Sequence, residues 1–403
     1  LRPHRTKKLS AMNKKLGMLA LGLLLAGPVA AQNELQYVLE SIERNNLTLQ
    51  AEHYASQGRT YEARMGNSLE PLSVAYESVG EGGLPVGQAG ELEISQEFAL
   101  PMLYAARNRK ARSLASQYEA EYLALRQQTL LEAKEIYLEL CALQAIVAVN
   151  RPRMQAAEHL ARLYETRYQT GDATLIDKNR AEFEELLLRE SLSTVDLRII
   201  ELERRLTTLN GGQPLACSYV MPPMETLSPL DSLQADWEAY APDLTVARLQ
   251  AEAAGDDVKV SRREALPRLG LGYKATYGEG SYNNGLTAGL SIPLFSNRHN
   301  VKRAQAYERA ARAEAEAAVV EKRNTVNELY AKADYAARLL QSFDIMPDAD
   351  SYVGVLVRLL ESGQMNIIDY YSELDTLYQT LETRIRIEME YRLGVARLLV
   401  IYL

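Results

Sequence analysis

Tyr168-Gln169-Thr170-Gly171, followed by Leu175-Ile176-Asp177, is answered far downstream by Leu360-Glu361-Ser362-Gly363 and Ile367-Ile368-Asp369. In both places six positions separate the glycine from the aspartate. Glycine permits the left-handed backbone that a sharp reversal between two helices needs, so each stretch predicts a helix–turn–helix tip. Working outward, Asn46-Leu47-Thr48-Leu49 is echoed by Pro242-Asp243-Leu244-Thr245, and Leu69-Glu70-Pro71 by Ala265-Leu266-Pro267. The copies stand roughly 195 residues apart, too long a period for a solenoid, so they read as duplicated halves of one architecture.

Each half predicts a helix, two short strands, a very long helix, a sharp turn and a second long helix. The expected helices cover 34–67, 103–168 and 174–209 in the first half, and 242–264, 297–361 and 367–402 in the second. The domain reading is a leader and signal over 1–31, a first repeat over 32–210, a Gly/Pro/Ser-rich linker over 211–229 and a second repeat over 230–403. Leu192, Val195, Ile199, Leu202, Leu206 and Leu209 alternate spacings of three and four, and Val319, Val326, Ala333 and Leu340 recur every seven. This is the pattern of helices paired as coiled coils. A run such as 103–168 makes a helix about 100 Å long at 1.5 Å per residue, more than a globular domain needs. Pro152 and Pro347 are expected to bend or break their runs. A soluble coiled-coil rod fits the helices equally well.

The strands argue against that rod. Leu72, Val74 and Tyr76 share one parity, Ser73, Ala75 and Glu77 the other; Leu92, Ile94, Gln96 and Phe98 oppose Glu91, Glu93, Ser95 and Glu97. The second half repeats the pattern with Leu269, Leu271, Tyr273, Ala275 and Tyr277, then Leu286, Ala288, Leu290 and Ile292, against polar or small residues. Segments of about ten residues with one apolar and one polar face match strands of a transmembrane barrel. Four strands cannot close a barrel, and lipid does not accept open sheet edges, so several copies must share one. Tyr76, Tyr104, Tyr273, Tyr277 and Tyr282, near strand ends, suit either interfacial anchoring or packing.

Met12-Asn13-Lys14-Lys15, the apolar run Leu16 to Ala26 and Val29-Ala30-Ala31 read as a secretory signal, with Met12 as initiator and cleavage after Ala31. The chain's formal net charge is −8, and the leader holds six basic residues and no acid, so the exported part is more acidic still. That balance speaks against a nucleic-acid partner. Cys141 and Cys217 are the only cysteines and make no disulfide framework; either pairing or two free structural thiols fits. No phosphate loop, nucleophile elbow or His/acid dyad occurs, which predicts no enzyme and no cofactor.

Taken together, the signal and the doubled helix–hairpin–helix–helix halves resemble the TolC-type outer-membrane efflux proteins, over essentially residues 34–403. The resemblance implies a mostly α fold with a small β part. It implies a homotrimer forming a 12-stranded β-barrel in the outer membrane, continued by an α-helical tunnel in the periplasm. It also implies a periplasmic adaptor (membrane fusion protein) and an inner-membrane transporter, of RND type, as partners. Ser95-Gln96-Glu97-Phe98-Ala99-Leu100-Pro101 and Pro293-Leu294-Phe295-Ser296-Asn297-Arg298 resemble strand-to-helix junctions of the heavy-metal cation branch. Metal cations are therefore the favoured cargo, ahead of drugs, other small molecules or a secreted polypeptide. Gln32, not a lipid-accepting Cys, follows the signal.

The resemblance places both turns at the periplasmic tip, where Thr170, Gly171, Asp172, Ser362, Gly363 and Gln364 would dock the adaptor. It faces Asp177 and Asp369 to the tunnel aperture, where symmetry would make carboxylate rings that favour cations. The alternative for each aspartate is a first-turn acid serving the helix dipole. Leu360 and Met365 stand where relatives carry a polar tyrosine and arginine latch. Glu77, Glu91, Glu93 and Glu97 would line the barrel lumen. Cys217, Met221 and Met224 form a small cluster of soft ligands in the linker, a weak metal candidate.

Overall fold

The computed structural model describes residues 27–79, 89–278, 280–293, 299–346 and 348–403, the side chains of 27–32 and 79 excepted. The signal, Leu294 to Arg298 of the second junction, and Pro347 lie outside the described side chains. The elements in chain order are α1 (Gly27–Asn45), α2 (Leu47–Met65), β1 (Ser73–Val79), β2 (Ala89–Phe98), α3 (Pro101–Thr170) and α4 (Leu175–Leu209). They continue with α5 (Leu230–Tyr240), α6 (Pro242–Arg263), β3 (Arg268–Gly278), β4 (Ser281–Ser291), α7 (Asn300–Ser342), α8 (Ala349–Glu361) and α9 (Ile367–Leu398). Among the described residues no helix is long and apolar enough to cross a membrane.

Two compact units take segments from both sequence halves. A helix unit contains the described residues up to Leu49, Arg126–Ala235 and Asn324–Leu403; a sheet unit contains Gln50–Leu125 and Asp236–Arg323.

In the helix unit the heptad seam finds its partners. Ile199, Leu202 and Leu206 of α4 pack with Val38 and Ile42 of α1 and with Ala133, Tyr137 and Leu140 of α3. The expected single helix 34–67 is two helices. Asn46 ends the first: its Oδ1 accepts from Leu49 N at 2.9 Å and its Nδ2 donates to Leu209 O at 2.8 Å. Beside it, Asn210 Oδ1 accepts from Ser41 Oγ and Asn45 Nδ2 at 2.9 and 3.1 Å. A buried polar knot thus offers the backbone an alternative to the helical ladder.

Pro152 does not break its helix, since α3 runs through it to Thr170. The missing N–H and ring clash cost about 3 kcal/mol. The adjoining Arg153, buried against α4 and α9 carboxylates, fixes the segment in place. The expected run 297–361 is divided: α7 stops at Ser342, a 3-10 turn covers Phe343–Ile345, and Asp348 caps α8 by accepting from Ser351 N at 2.9 Å.

In the sheet unit the strands form one antiparallel sheet in the order β1-β2-β3-β4. The register joins the parities read from sequence. Val74, Ile94 and Tyr273 align across three strands, as do Tyr76, Leu92 and Ala275, and Leu271 pairs with Ala288. The other face aligns Ala75, Glu93 and Lys274. One face is therefore apolar and the other polar. The apolar one is uncovered, with Leu286 89%, Val74 61% and Leu271 48% exposed. Below the sheet, Ala99, Leu103 and Ala106 pack on Val260 and Tyr104, joining the start of α3 to the end of α6.

Candidate functional site

The two turns are built alike. Gly171 and Gly363 adopt φ of 81° and 71°, the left-handed conformation that a Cβ disfavours, although a Cβ there would meet nothing within 4 Å. Asp172 N donates to Arg167 O at 2.7 Å and Gly171 N to Tyr168 O at 3.2 Å. In the second copy Gln364 N donates to Leu359 O at 3.0 Å and Gly363 N to Leu360 O at 3.2 Å. These paired bonds close the last turn of each helix and satisfy carbonyls that would otherwise be orphaned. Thr170 Oγ1 donates to Asp172 Oδ2 at 3.0 Å, and Ser362 Oγ to Leu359 O at 3.2 Å. Glycines and flanking polar groups all remain exposed.

Both aspartates restart their helices. Thr174 Oγ1 accepts from Asp177 N at 3.2 Å while Asp177 Oδ2 accepts from Thr174 N at 3.0 Å, a reciprocal capping box. Asn366 Oδ1 accepts from Asp369 N at 2.9 Å, and its Nδ2 donates to Asp369 Oδ2 at 2.7 Å. Each carboxylate therefore already serves a helix N-terminus; Asp369 is exposed and Asp177 half-buried.

One apolar core lies beneath both turns. Ala161 and Tyr164 of α3, Ala181 of α4, Leu356 of α8 and Ile367, Tyr370, Tyr371 and Leu374 of α9 form it, with Leu360 and Met365 packed against it. Leu360 and Met365 thus belong to an apolar cluster. A cavity of about 260 Å³ opens beside it, lined by His159, Leu160, Leu163 and Tyr164 of α3 and by Val357 and Leu360 of α8.

Further along the same helices is a charge network that the sequence reading missed. Arg153 of α3 bridges Glu184 of α4 at 2.7 Å and also Asp375 of α9, with its guanidinium 4.9 Å from the centre of the Tyr378 ring. Arg180 approaches the same two carboxylates at 3.7 and 3.8 Å. Burial, reinforced by Asp375 and opposed by Arg153, holds the Glu184 carboxyl above the usual carboxylate range. The signal was present in α4, where Glu184 falls between Ala181 and Leu188 on the buried stripe.

On the sheet, Glu77, Glu91, Glu93 and Glu97 share the polar face, where Lys274 pairs with Glu91. On the opposite face Tyr277 pairs with Tyr282, and the Tyr76 hydroxyl meets that of Tyr277. Tyr104 packs at the start of α3, its hydroxyl accepting from Ala99 N at 3.3 Å.

Cys217 and Met221 pack on the α1–α3–α4 core, while Met224 is 48% exposed. Cys141 and Cys217 are free thiols, and burial pushes their pKa values up to about 12 and about 11. Among the described residues no three His, Cys, Asp or Glu side chains are grouped to hold a metal ion.

Comparison with known proteins bears on this geometry. Residues 236–383 match the model of the outer membrane efflux protein family. The pyoverdine export outer membrane protein OpmQ of Pseudomonas aeruginosa is 28% identical over 172 residues, 40% of this chain and 36% of that protein. The alkaline protease secretion protein AprF of the same organism is 22% identical over 320 residues, 73% of this chain and 65% of that protein. The chain thus spans less than two thirds of either relative's length. Among solved structures, a membrane protein from Pseudomonas aeruginosa superposes with a TM-score of 0.78 at 17% identity, covering 91% of this chain and 93% of that one. The Campylobacter jejuni CmeC outer membrane channel gives 0.71 at 14% identity, covering 92% and 85%. The sequence likeness to the outer membrane efflux protein family, whose members are channels rather than enzymes, thus covers residues 236–383, and the likeness of fold to these solved membrane proteins covers 91–92% of the chain.

Proposed function

We propose that this chain is the outer-membrane exit duct of a tripartite export assembly, with three copies pooling their sheets into one 12-stranded barrel. The observation that carries this reading is the sheet itself. Its register collects an uncovered apolar row on one face and four glutamates on the other, and both its outer strands end in open edges. Such edges are not tolerated in lipid, and only closure with further copies removes them. The apolar face then meets lipid, with Tyr76, Tyr277 and Tyr282 as interfacial anchors, and the glutamates line the lumen.

The duct holds no energy source of its own, so an inner-membrane transporter of RND type and a periplasmic adaptor drive it. The adaptor docks on the exposed turns around Gly171 and Gly363, with the neighbouring apolar cavity as a seat for one of its side chains. Asp177 and Asp369 ring the aperture in addition to capping their helices. Metal cations are the cargo favoured by the carboxylate-lined path and the Ser95–Pro101 junction. Export of a small organic molecule is the second reading, favoured by the likeness to a pyoverdine export protein.

The test joins cells and bilayers. In cells dependent on this duct, Gly171→Val with Gly363→Val should abolish export while leaving the protein in the outer membrane; retained export would remove the docking role. In planar bilayers, Asp177→Ala with Asp369→Ala should raise leak conductance and lower cation-over-anion selectivity several-fold. Unchanged conductance and selectivity would leave the aspartates with capping alone. Growth on copper, zinc or silver salts, set against siderophore release, decides between the cargoes.

A further inference from the structure

The chain is acidic overall, yet its charge reverses at one edge of the sheet. Phe98, Leu269 and Leu290 align at this edge, and Ser73 of β1 pairs only a few residues away. Every passage between the sheet and helices α2, α3, α6 and α7 leaves from here. Pro101–Arg112, the first three turns of α3, holds four basic residues and no acid. The last turn of α6 adds Arg262 and Arg263, and the first turn of α7 adds Lys302 and Arg303.

Part of this charge is spent within the unit. Arg107 pairs with Glu264 at 3.3 Å, Lys110 with Asp257, and Arg263 donates to Met102 O at 2.9 Å. Arg64, Arg109, Arg112, Arg262, Lys302 and Arg303 are exposed instead, and none forms an ion pair among the described residues. Glu62 is the exposed acid in the same stretches. Arg109 lies roughly 12 Å along α3 from its first residue at 1.5 Å rise, so the basic band extends only a few helical turns below the apolar face.

We propose that these six side chains form a collar that binds the headgroups of anionic phospholipids at the helix-side surface of the membrane. The inference rests on the barrel reading, which places the apolar face in lipid and this edge at the headgroups. Long basic side chains bury their stems against apolar surface while the charged ends reach outward, which suits this depth. The attraction of basic residues to an anionic surface acts within a Debye length of about 8–10 Å at physiological salt. Arginine adds bidentate hydrogen bonding to phosphate. The collar would set the depth of the barrel and surround it with acidic lipid.

The test uses the full chain reconstituted into vesicles of phosphatidylcholine with phosphatidylglycerol, and spin-labelled forms of both lipids. The wild type should hold phosphatidylglycerol about fivefold more strongly than phosphatidylcholine, the ratio falling toward one in molar salt. Arg109→Glu/Arg262→Glu/Lys302→Glu should remove the preference, and the milder Arg109→Gln/Arg262→Gln/Lys302→Gln should reduce it. Arg384→Glu/Arg386→Glu, exposed on α9 in the helix unit, should leave it intact. Insertion with no headgroup preference, a preference that survives the glutamate variant, or one abolished by millimolar inorganic phosphate would overturn the collar while leaving the duct. Failure to insert into either lipid would overturn the barrel reading first, and the collar with it.

Discussion

Replacing Arg153 with alanine should destabilise the helix unit by about 3–5 kcal/mol, the range for removing one partner of a buried ion pair. The side chains of Arg153 and Glu184 are 9% and 4% exposed, so the carboxylate left behind has almost no access to water. Arg180, at 3.7 Å from Glu184, offers partial compensation and places the loss toward the lower end. Thermal melts followed by helical circular dichroism in detergent would register it as a fall of several degrees. A midpoint unchanged within about one degree would show that the network is solvated. Replacing the set with apolar residues, Arg153→Met with Glu184→Leu and Asp375→Asn, should recover much of the loss, because desolvation of the charges offsets most of their attraction.

The same network sets a pH dependence whose sign follows from Glu184. Its folded-state pKa lies above the unfolded value, chiefly through burial. The protonated form is therefore favoured by folding: the added stability is fully present below the ordinary carboxylate range and is lost as pH rises through the raised value. Comparing wild type with Glu184→Gln from neutrality to mildly acidic pH isolates this contribution. Only the wild type should gain from that residue on acidification.

The second large effect lies on the sheet. Leu286→Arg or Leu271→Arg should lower the stability of the inserted protein by about 2–4 kcal/mol per site if the residue sits near the bilayer midplane. Thr287→Arg, one residue along β4 and so on the polar face, should cost far less. Heat-modifiable gel migration after folding into lipid reads both. Equal tolerance at Leu286 and Thr287 would contradict the assignment of faces.

Sequence alone made the sheet faces legible because alternation is a local property. Val74, Leu92, Leu271 and Leu286 declare their side within their own strands, and the register then aligns them. The turns were legible for the same reason: Gly171 and Gly363 mark left-handed positions with no tertiary help. What escaped depends on residues far apart in the chain. The end of α1 at Asn46 is set by Leu209 and Asn210, and the charge network joins Arg153, Glu184 and Asp375 across three helices. Helix α5 was missed although Leu233 and Trp237, four residues apart and both buried, carry helical spacing. Pro152 misled because its local penalty is smaller than the packing of a 70-residue helix.

The mass of the purified protein decides whether several copies share one barrel. Extracted from outer membranes in mild detergent and weighed by light scattering with the detergent subtracted, it should give three copies per particle and precipitate when detergent is withdrawn. A single copy that stays dissolved in buffer without detergent would contradict the shared barrel, and with it the duct.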